Sequence, residues 1–346
     1  GVVGTISGSS VSFGTAQVIS SSYSSNIGLT STKANQFVVV RKDQGGSSYG
    51  IATVLDILSG TTISPGSNVT YSTANTSYND VAADPNDNTK VVVSYDGTNQ
   101  NGRARVGTVS GSSISFGTEV RFTSSVSSVY KPFIVFDKQT SGKFAIGFIN
   151  NSTSYPYIVI GSYSGTALTF GLETVTYSGG TSEMQIAADP FNADKYVVGR
   201  RDNSGGYLAV VTVSGTTPTI ASYSTWTSPN GPEYIVLACD NATENKLVVG
   251  GNISSSSMKM HVGTISGTSI TYGSEITFSS SNPYDTNCKT IAFNSAEDGN
   301  FAVAFLDSSD DDGRVKTGQM AFSSTNSANF VGITDEAIAN AATGSV

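Results

Sequence analysis

The chain has 346 residues, a formal net charge of −8, only 13 % charged residues and 38 % hydrophobic ones. Eighteen thinly scattered Lys and Arg against 26 acidic residues exclude a nucleic-acid partner, which needs clustered cations to displace phosphate counterions. One histidine and two cysteines exclude a zinc site, which takes several such ligands at short spacing, and the Val, Ile, Phe and Tyr content excludes disorder.

No apolar run approaches the roughly 20 residues of a membrane-spanning helix. No basic-then-apolar leader follows Gly1 either, so the sequence reads as a processed product, a fragment, or a chain made without such a leader.

Along the chain, Val-Gly-Thr-Ile-Ser-Gly at 3–8 returns as Val-Gly-Thr-Val-Ser-Gly at 106–111 and Val-Gly-Thr-Ile-Ser-Gly at 262–267. Weaker copies span 54–60, 160–165 and 211–215. The closing glycines, at 8, 60, 111, 165, 215 and 267, lie 50 to 54 residues apart. Each period holds four runs of β-branched and aromatic residues punctuated by Ser-Gly, Asp-Pro and Asn-Gly turns, the signature of antiparallel hairpins. After the Ser-Gly turn comes a Phe-Gly-Thr run (12–19, 115–122, 169–177, 271–278). An apolar run ending in a polar turn follows (81–90, 134–143, 186–195, 236–246, 291–300), then a Val-rich run (37–41, 91–95, 144–148, 196–200, 247–251, 301–305). A fourth run leads back into Val-Gly-Thr.

Four strands per repeat predict an all-β fold, a β-propeller of about six four-stranded blades. Ala82, Ala83, Ala187, Ala188, Ala238 and Ala292 suit the crowded axis, so the run before the polar turn is innermost. The Val-rich run is then second, Val-Gly-Thr third and Phe-Gly-Thr outermost. The count gives six innermost, six second, seven third and six outermost strands. On this count the propeller spans 1–322 and the N-terminal strands, residues 1–19, close the ring. Residues 323–346 read as a C-terminal linker or junction to an absent segment, with a short helix over 335–342; seven blades result if this segment contributes strands the pattern does not show.

These stretches, with Ala-Asp-Pro-Asn at 83–86 and Lys-Val-Val-Val-Ser-Tyr at 90–95, resemble the repeats of marine phage virion-surface proteins, the tail-fibre and receptor-binding proteins. The tail from Phe330 to Val346 also looks like the junctions in such fibres. The likeness covers nearly the whole chain but lies in structural positions. It implies a propeller at a virion surface or outside the cell, and carries over no catalytic or binding residue. That family has an Asp-rich hairpin in every repeat, whereas the first repeat here has Thr30 in place of Asp84.

Aligning the repeats on Asp84 puts Ser24, Tyr78, Lys131, Glu183, Tyr234 and Cys288 where innermost strands begin; aligning on Lys90 puts Arg41, Tyr95, Phe148, Arg200, Gly251 and Phe305 where second strands end. One face therefore carries a candidate ligand-binding rim of Tyr78, Tyr95, Tyr234, Trp226, Arg41, Arg200 and Arg201. Aromatic faces stack on sugar rings and fixed polar groups pair with hydroxyls; packing between blades is the competing use of the same residues. Asp307, Asp310 and Asp312, in the acidic loop 307–314, could supply oxygens to Ca²⁺, but the loop lacks the twelve-residue spacing and distal Glu of an EF-hand, so a solvated loop competes. No other cofactor is implied. Cys239 and Cys288 fall five residues apart in register, roughly 16 Å at about 3.3 Å per residue, too far for a disulfide. His261 sits in a strand-like alternation with no triad partner in sight.

The sequence thus points to a non-enzymatic virion-surface module, of tail-fibre or receptor-binding type, that recognises a host-surface glycan or receptor and meets other virion proteins through its C-terminal segment. The alternatives are a structural capsid or fibre spacer, and a polysaccharide-active propeller enzyme.

Overall fold

The computed structural model describes residues 1–7, 10–45, 48–227, 234–254, 257–279, 290–294, 299–307, 312–322 and 328–337. Six antiparallel sheets each run innermost to outermost in chain order. Blade 1 is Ser24–Lys33, Gln36–Asp43, Gly50–Ile57 and an outer strand in two pieces, Ile63–Pro65 and Val69–Ser72. Blade 2 is Asn79–Asp84, Asp87–Asp96, Gly102–Ser110 and Ser113–Phe116 with Val120–Arg121; blade 3 is Val129–Phe136, Lys143–Asn150, Pro156–Ser164 and Ala167–Phe170 with Thr174–Val175. Blade 4 is Glu183–Ala188, Lys195–Asp202, Gly205–Ser214 and Thr217–Ile220 with Ser224–Thr227; blade 5 is Val236–Cys239, Lys246–Ser254, Ser257–Ser266 and Ser269–Tyr272 with Ile276–Ser279. Blade 6 is Thr290–Phe293, Asn300–Asp307, Asp312–Phe322 and Ala328–Ala337. Each innermost strand lies beside that of the next blade, from blade 1 through blade 6. Among the described residues no helix is long and apolar enough to cross a membrane.

The repeat's glycines explain this geometry. Gly60, Gly111, Gly165, Gly215 and Gly267 close the turn between third and outermost strands with φ of 56–63°, a left-handed conformation that a Cβ disfavours. Six residues further on, Gly66, Gly117 and Gly171 break the outer strand where the next blade's turn comes close. A Cβ there would meet Ser112, Thr166 and Thr216 at 2.0, 2.7 and 2.6 Å. The core accordingly lies between blades: Val92, Ala104 and Val106 of blade 2 pack on Phe136, Phe144, Ile146 and Phe148 of blade 3.

Closure is built differently in detail from the strand count. Ala328–Ala337, inside the segment read as a linker, is the outer strand of blade 6, so the helix expected from Asp335 does not begin there. The N-terminal pair Gly4–Ser7 and Ser10–Phe13 forms its own two-stranded sheet and lies against the two outer strands of blade 6. Yet a Cβ on Gly14 would stand 2.2 Å from Thr61 of blade 1, the relation Gly66, Gly117 and Gly171 have to their own successors. Val3 and Ile19 also pack on the Val39, Leu55, Ile63 cluster of blade 1. The hairpin thus bridges the seam from outside instead of supplying the missing strand, because its third-type and outer-type runs satisfy each other first.

The face with the turns between innermost and second strands, here the turn face, is stitched by buried aspartates. Asp84 accepts from the Asn86 N–H in its own turn and from the Gly142 N–H and the Tyr163 hydroxyl of blade 3, each at 2.7–2.8 Å. Asp137 repeats this with Gln139 and Thr140 at home and the Asp194 N–H of blade 4 at 2.7 Å. Lys138 reaches from blade 3 past blade 4 to the Asn241 Oδ1 of blade 5, and Gln139 donates to Pro190 O at 2.7 Å. These bridges link blades 3, 4 and 5 on the turn face; the opposite face is here the mouth face.

A further clamp joins blades 2 and 3. The Glu173 carboxylate accepts from the backbone N–H groups of Ser124, Ser125 and Val126 and from both serine hydroxyls. Partial burial opposes ionisation, but these hydrogen bonds outweigh it and hold the carboxyl down at about 2. A lowered carboxyl contributes stability that is present above its ordinary value of 4.5 and lost as pH falls toward 2. Glu173→Gln is therefore expected to lower the thermal midpoint at pH 7 and to flatten its fall between pH 4.5 and 2, read by calorimetry across pH. An unchanged acid limb would show that the clamp carries no stability.

Candidate binding rim on the mouth face

The strand register brings the sequence-predicted positions to one end of the blades: Tyr95 pairs with Asn79, Arg200 with Met184 and Arg201 with Glu183. Four of them are nevertheless buried, Arg200 among them at 4 % exposed, and Tyr95, Arg41 and Trp226 are packing residues. Tyr95 is 0 % exposed, its ring 5.1 Å from that of Tyr71 and its hydroxyl donating to Glu119 at 2.6 Å. Arg41 is 3 % exposed and donates to the Thr53 hydroxyl at 3.0 Å, which in turn donates to Asn68. Trp226 is 4 % exposed and fills the space over Gly206, as Tyr71 does over Gly50 and Phe122 over Gly102. The physical reason is alternation: every second residue of a strand turns to the neighbouring blade, and a large ring there is needed as filling.

Tyr78 is half-buried, edge-on to Tyr130 at 4.7 Å between ring centres, and its backbone N–H donates to Asp96 at 2.8 Å. Tyr234 is half-buried where blade 5 begins. Of the acidic loop, Asp307 and Asp312 pair as the ends of two strands and Asp310 lies outside the described residues, as does Cys288. Among the described residues no group of three His, Cys, Asp or Glu is placed to hold a metal ion. Cys239 is a buried free thiol. His261 is a strand residue whose Nδ1 stands 3.0 Å from Gly273 O and whose ring meets the edge of Trp226.

Blade 4 gathers what remains. The Arg200 guanidinium lies over Tyr177 at 3.4 Å and Tyr207 at 4.1 Å, with Tyr223 at 4.8 Å. It donates to Asp202 at 2.7 Å, while Asp202 also accepts from the Ser204 hydroxyl at 2.5 Å. The rings of Tyr177, Tyr207 and Tyr223 are half-buried, so each retains open surface. Stacking fixes the plane of this buried guanidinium, which in turn holds the tyrosine rings and the partly exposed Asp202 carboxylate in place. Sequence reasoning missed the three tyrosines. Tyr207 was accessible, because it pairs with Arg200 across the next hairpin; Tyr177 comes from blade 3, and no linear spacing marks it.

Toward the axis, Lys131 of blade 3 forms a buried ion pair with Glu183 of blade 4. A bulge between Tyr130 and Phe133, with Lys131 at φ 47°, accompanies this placement. Asp80 accepts the Ile134 N–H at 3.0 Å, and burial pushes its carboxyl up to about 6 against the hydrogen bonds from Ile134 and Val81. Burial likewise raises Asp96 to about 6, opposed by the N–H groups of Tyr78 and Ser77.

No model of a known family matches the chain, and no curated protein sequence does. Solved structures match in shape. A periplasmic gluconolactonase from Pseudomonas aeruginosa superposes with a TM-score of 0.62 at 13 % identity, covering 90 % of this chain and 85 % of its own. The Aleuria aurantia lectin, in complex with alpha-methyl-L-fucoside, gives 0.52 at 12 % identity over 89 % of this chain and 95 % of its own. Chaetomium thermophilum Sqt1, bound to the N-terminus of the ribosomal protein L10, gives 0.55 at 15 % identity over 85 % and 71 %. At these identities the likeness shows the fold alone. The chain is a six-bladed β-propeller. None of these three structures points to a virion or a fibre.

Proposed function

We propose that the chain is a non-enzymatic carbohydrate-binding propeller that takes a saccharide on the mouth-face rim of blade 4. The observation that carries this reading is the Arg200 guanidinium held between Tyr177 and Tyr207 and tied to Asp202. Half-open tyrosine faces beside the Asp202 carboxylate, both held in place by Arg200, suit the flat apolar side and the hydroxyls of a sugar. The fold shared with a fucoside-bound lectin supports the same reading. The virion-surface setting belongs to the proposal too, on the repeat likeness alone.

A glycan array probed with the intact chain tests it. At least one saccharide class is expected to bind, and Arg200→Ala or Tyr207→Ala to weaken it about tenfold or more, on the order of 1.4 kcal/mol. Binding untouched by both substitutions would move the site elsewhere, and no binding to any glycan would sink the proposal.

A second reading, a carbohydrate-active enzyme, is favoured by Asp80 and Asp96, two carboxyls near the mouth raised to about 6, the range of a general acid. Reducing ends released from a polysaccharide by wild type and not by Asp80→Asn would establish it.

A further inference from the structure

The other side of the same strand end carries a second arrangement. Arg201 follows Arg200, so its side chain faces blade 5 while that of Arg200 faces blade 3. Glu183, Arg201, Gly206 and Thr227 form one row across blade 4. Gly206 leaves room on this row for the Trp226 indole, whose nitrogen stands 2.6 Å from where a Cβ on Gly206 would be. Arg201 and Trp226 thus lie on one face, and Arg201 Nε and Trp226 Nε1 are both buried N–H donors without an acceptor.

Charge points the same way. Glu183, opposite Arg201, is engaged by Lys131, and Arg200 has Asp202. Arg201 has no ion pair among the described residues. Its side chain is half-buried at the rim. Buried donors in proteins are nearly always paired, and a guanidinium fork matches a carboxylate or sulfate in particular.

We infer that the saccharide bound on this rim is an acidic one, whose carboxylate or sulfate group is held by the half-buried guanidinium of Arg201, which lies on the same face as the buried Trp226. The inference rests on the carbohydrate-binding reading and names its substrate class. The strand end of blade 4 then works from both sides: Tyr177 and Tyr207 hold a sugar ring, and Arg201 reads the charge on the next unit.

The test is titration calorimetry of the intact chain with oligogalacturonate, with its carboxyl-reduced neutral counterpart, and with a sulfated galactan oligosaccharide beside its desulfated form. At least one acidic member is expected to bind tenfold or more tighter than its neutral partner. Arg201→Gln should abolish that preference, and raising salt should weaken the acidic ligand alone. Equal binding of the acidic and neutral partners by the wild type would overturn the inference while leaving the carbohydrate reading intact, and needs no variant to fold. A preference that survives Arg201→Gln would overturn it as well. Failure of every saccharide on the array would remove both.

Discussion

Lys131→Met alone is expected to lower the unfolding free energy by about 3–5 kcal/mol, whereas Lys131→Met with Glu183→Leu should lie within about 1–2 kcal/mol of wild type or above it. Both side chains are buried at the axis side of blades 3 and 4 and form an ion pair there. Removing the ammonium leaves a carboxylate in a medium that solvates it poorly, and the penalty is the stranded charge itself. Removing both groups deletes the desolvation cost along with the attraction. Urea unfolding reads the difference through Trp226, the sole tryptophan of the chain, buried between blades 4 and 5. A mild single substitution would show that Glu183 is solvated or held elsewhere, and would remove the axis-side link between blades 3 and 4.

Asp80→Asn is expected to do the reverse and stabilise the protein near pH 7, by about 2–3 kcal/mol for a shift of about two pKa units. The native carboxyl titrates at about 6 against an ordinary value of 3.8. Below 3.8 it is protonated in both states and imposes no penalty. As pH rises from there to 6 the unfolded chain gives up its proton while the native one keeps it, so stability falls and then levels off. Asparagine can still accept the Ile134 N–H that Asp80 now accepts, and it carries no charge to desolvate. Thermal midpoints of wild type and variant should therefore coincide near pH 3.5 and separate above pH 6. Glu173 acts with the opposite sign at lower pH, so these two groups together favour an acid optimum between about pH 4 and 5. A variant less stable than wild type at pH 7 would show that the Asp80 charge is compensated in the fold.

The blades were legible because their signal is local. A glycine at φ near +60° every 50 to 54 residues fixes the turn, and the four runs between successive glycines fix the sheet. The same register set Lys131 and Glu183 at equivalent positions of adjacent blades, which is why they meet. The sequence left open whether Arg41, Tyr95 and Trp226 pack between blades or line the mouth, and the structure buries them. Alternation along a strand tells which residues share a face, but not whether that face meets a neighbouring blade or the open mouth. The cage of Arg200 was only half visible, since Tyr177 joins it from another blade across 23 residues of sequence. Ala328–Ala337 was hidden because it lacks the Ser-Gly turn and Phe-Gly-Thr pattern of the other outer strands, and only the long partner strand Asp312–Phe322 recruits it.

The proposed saccharide site lies on the mouth face of blade 4. A crystal structure of the chain with its tightest-binding oligosaccharide decides it most directly. The expected result is a sugar ring against Tyr177 and Tyr207, hydrogen-bonded to Asp202. A sugar lodged on another blade, or in the axial channel away from Arg200, would contradict it.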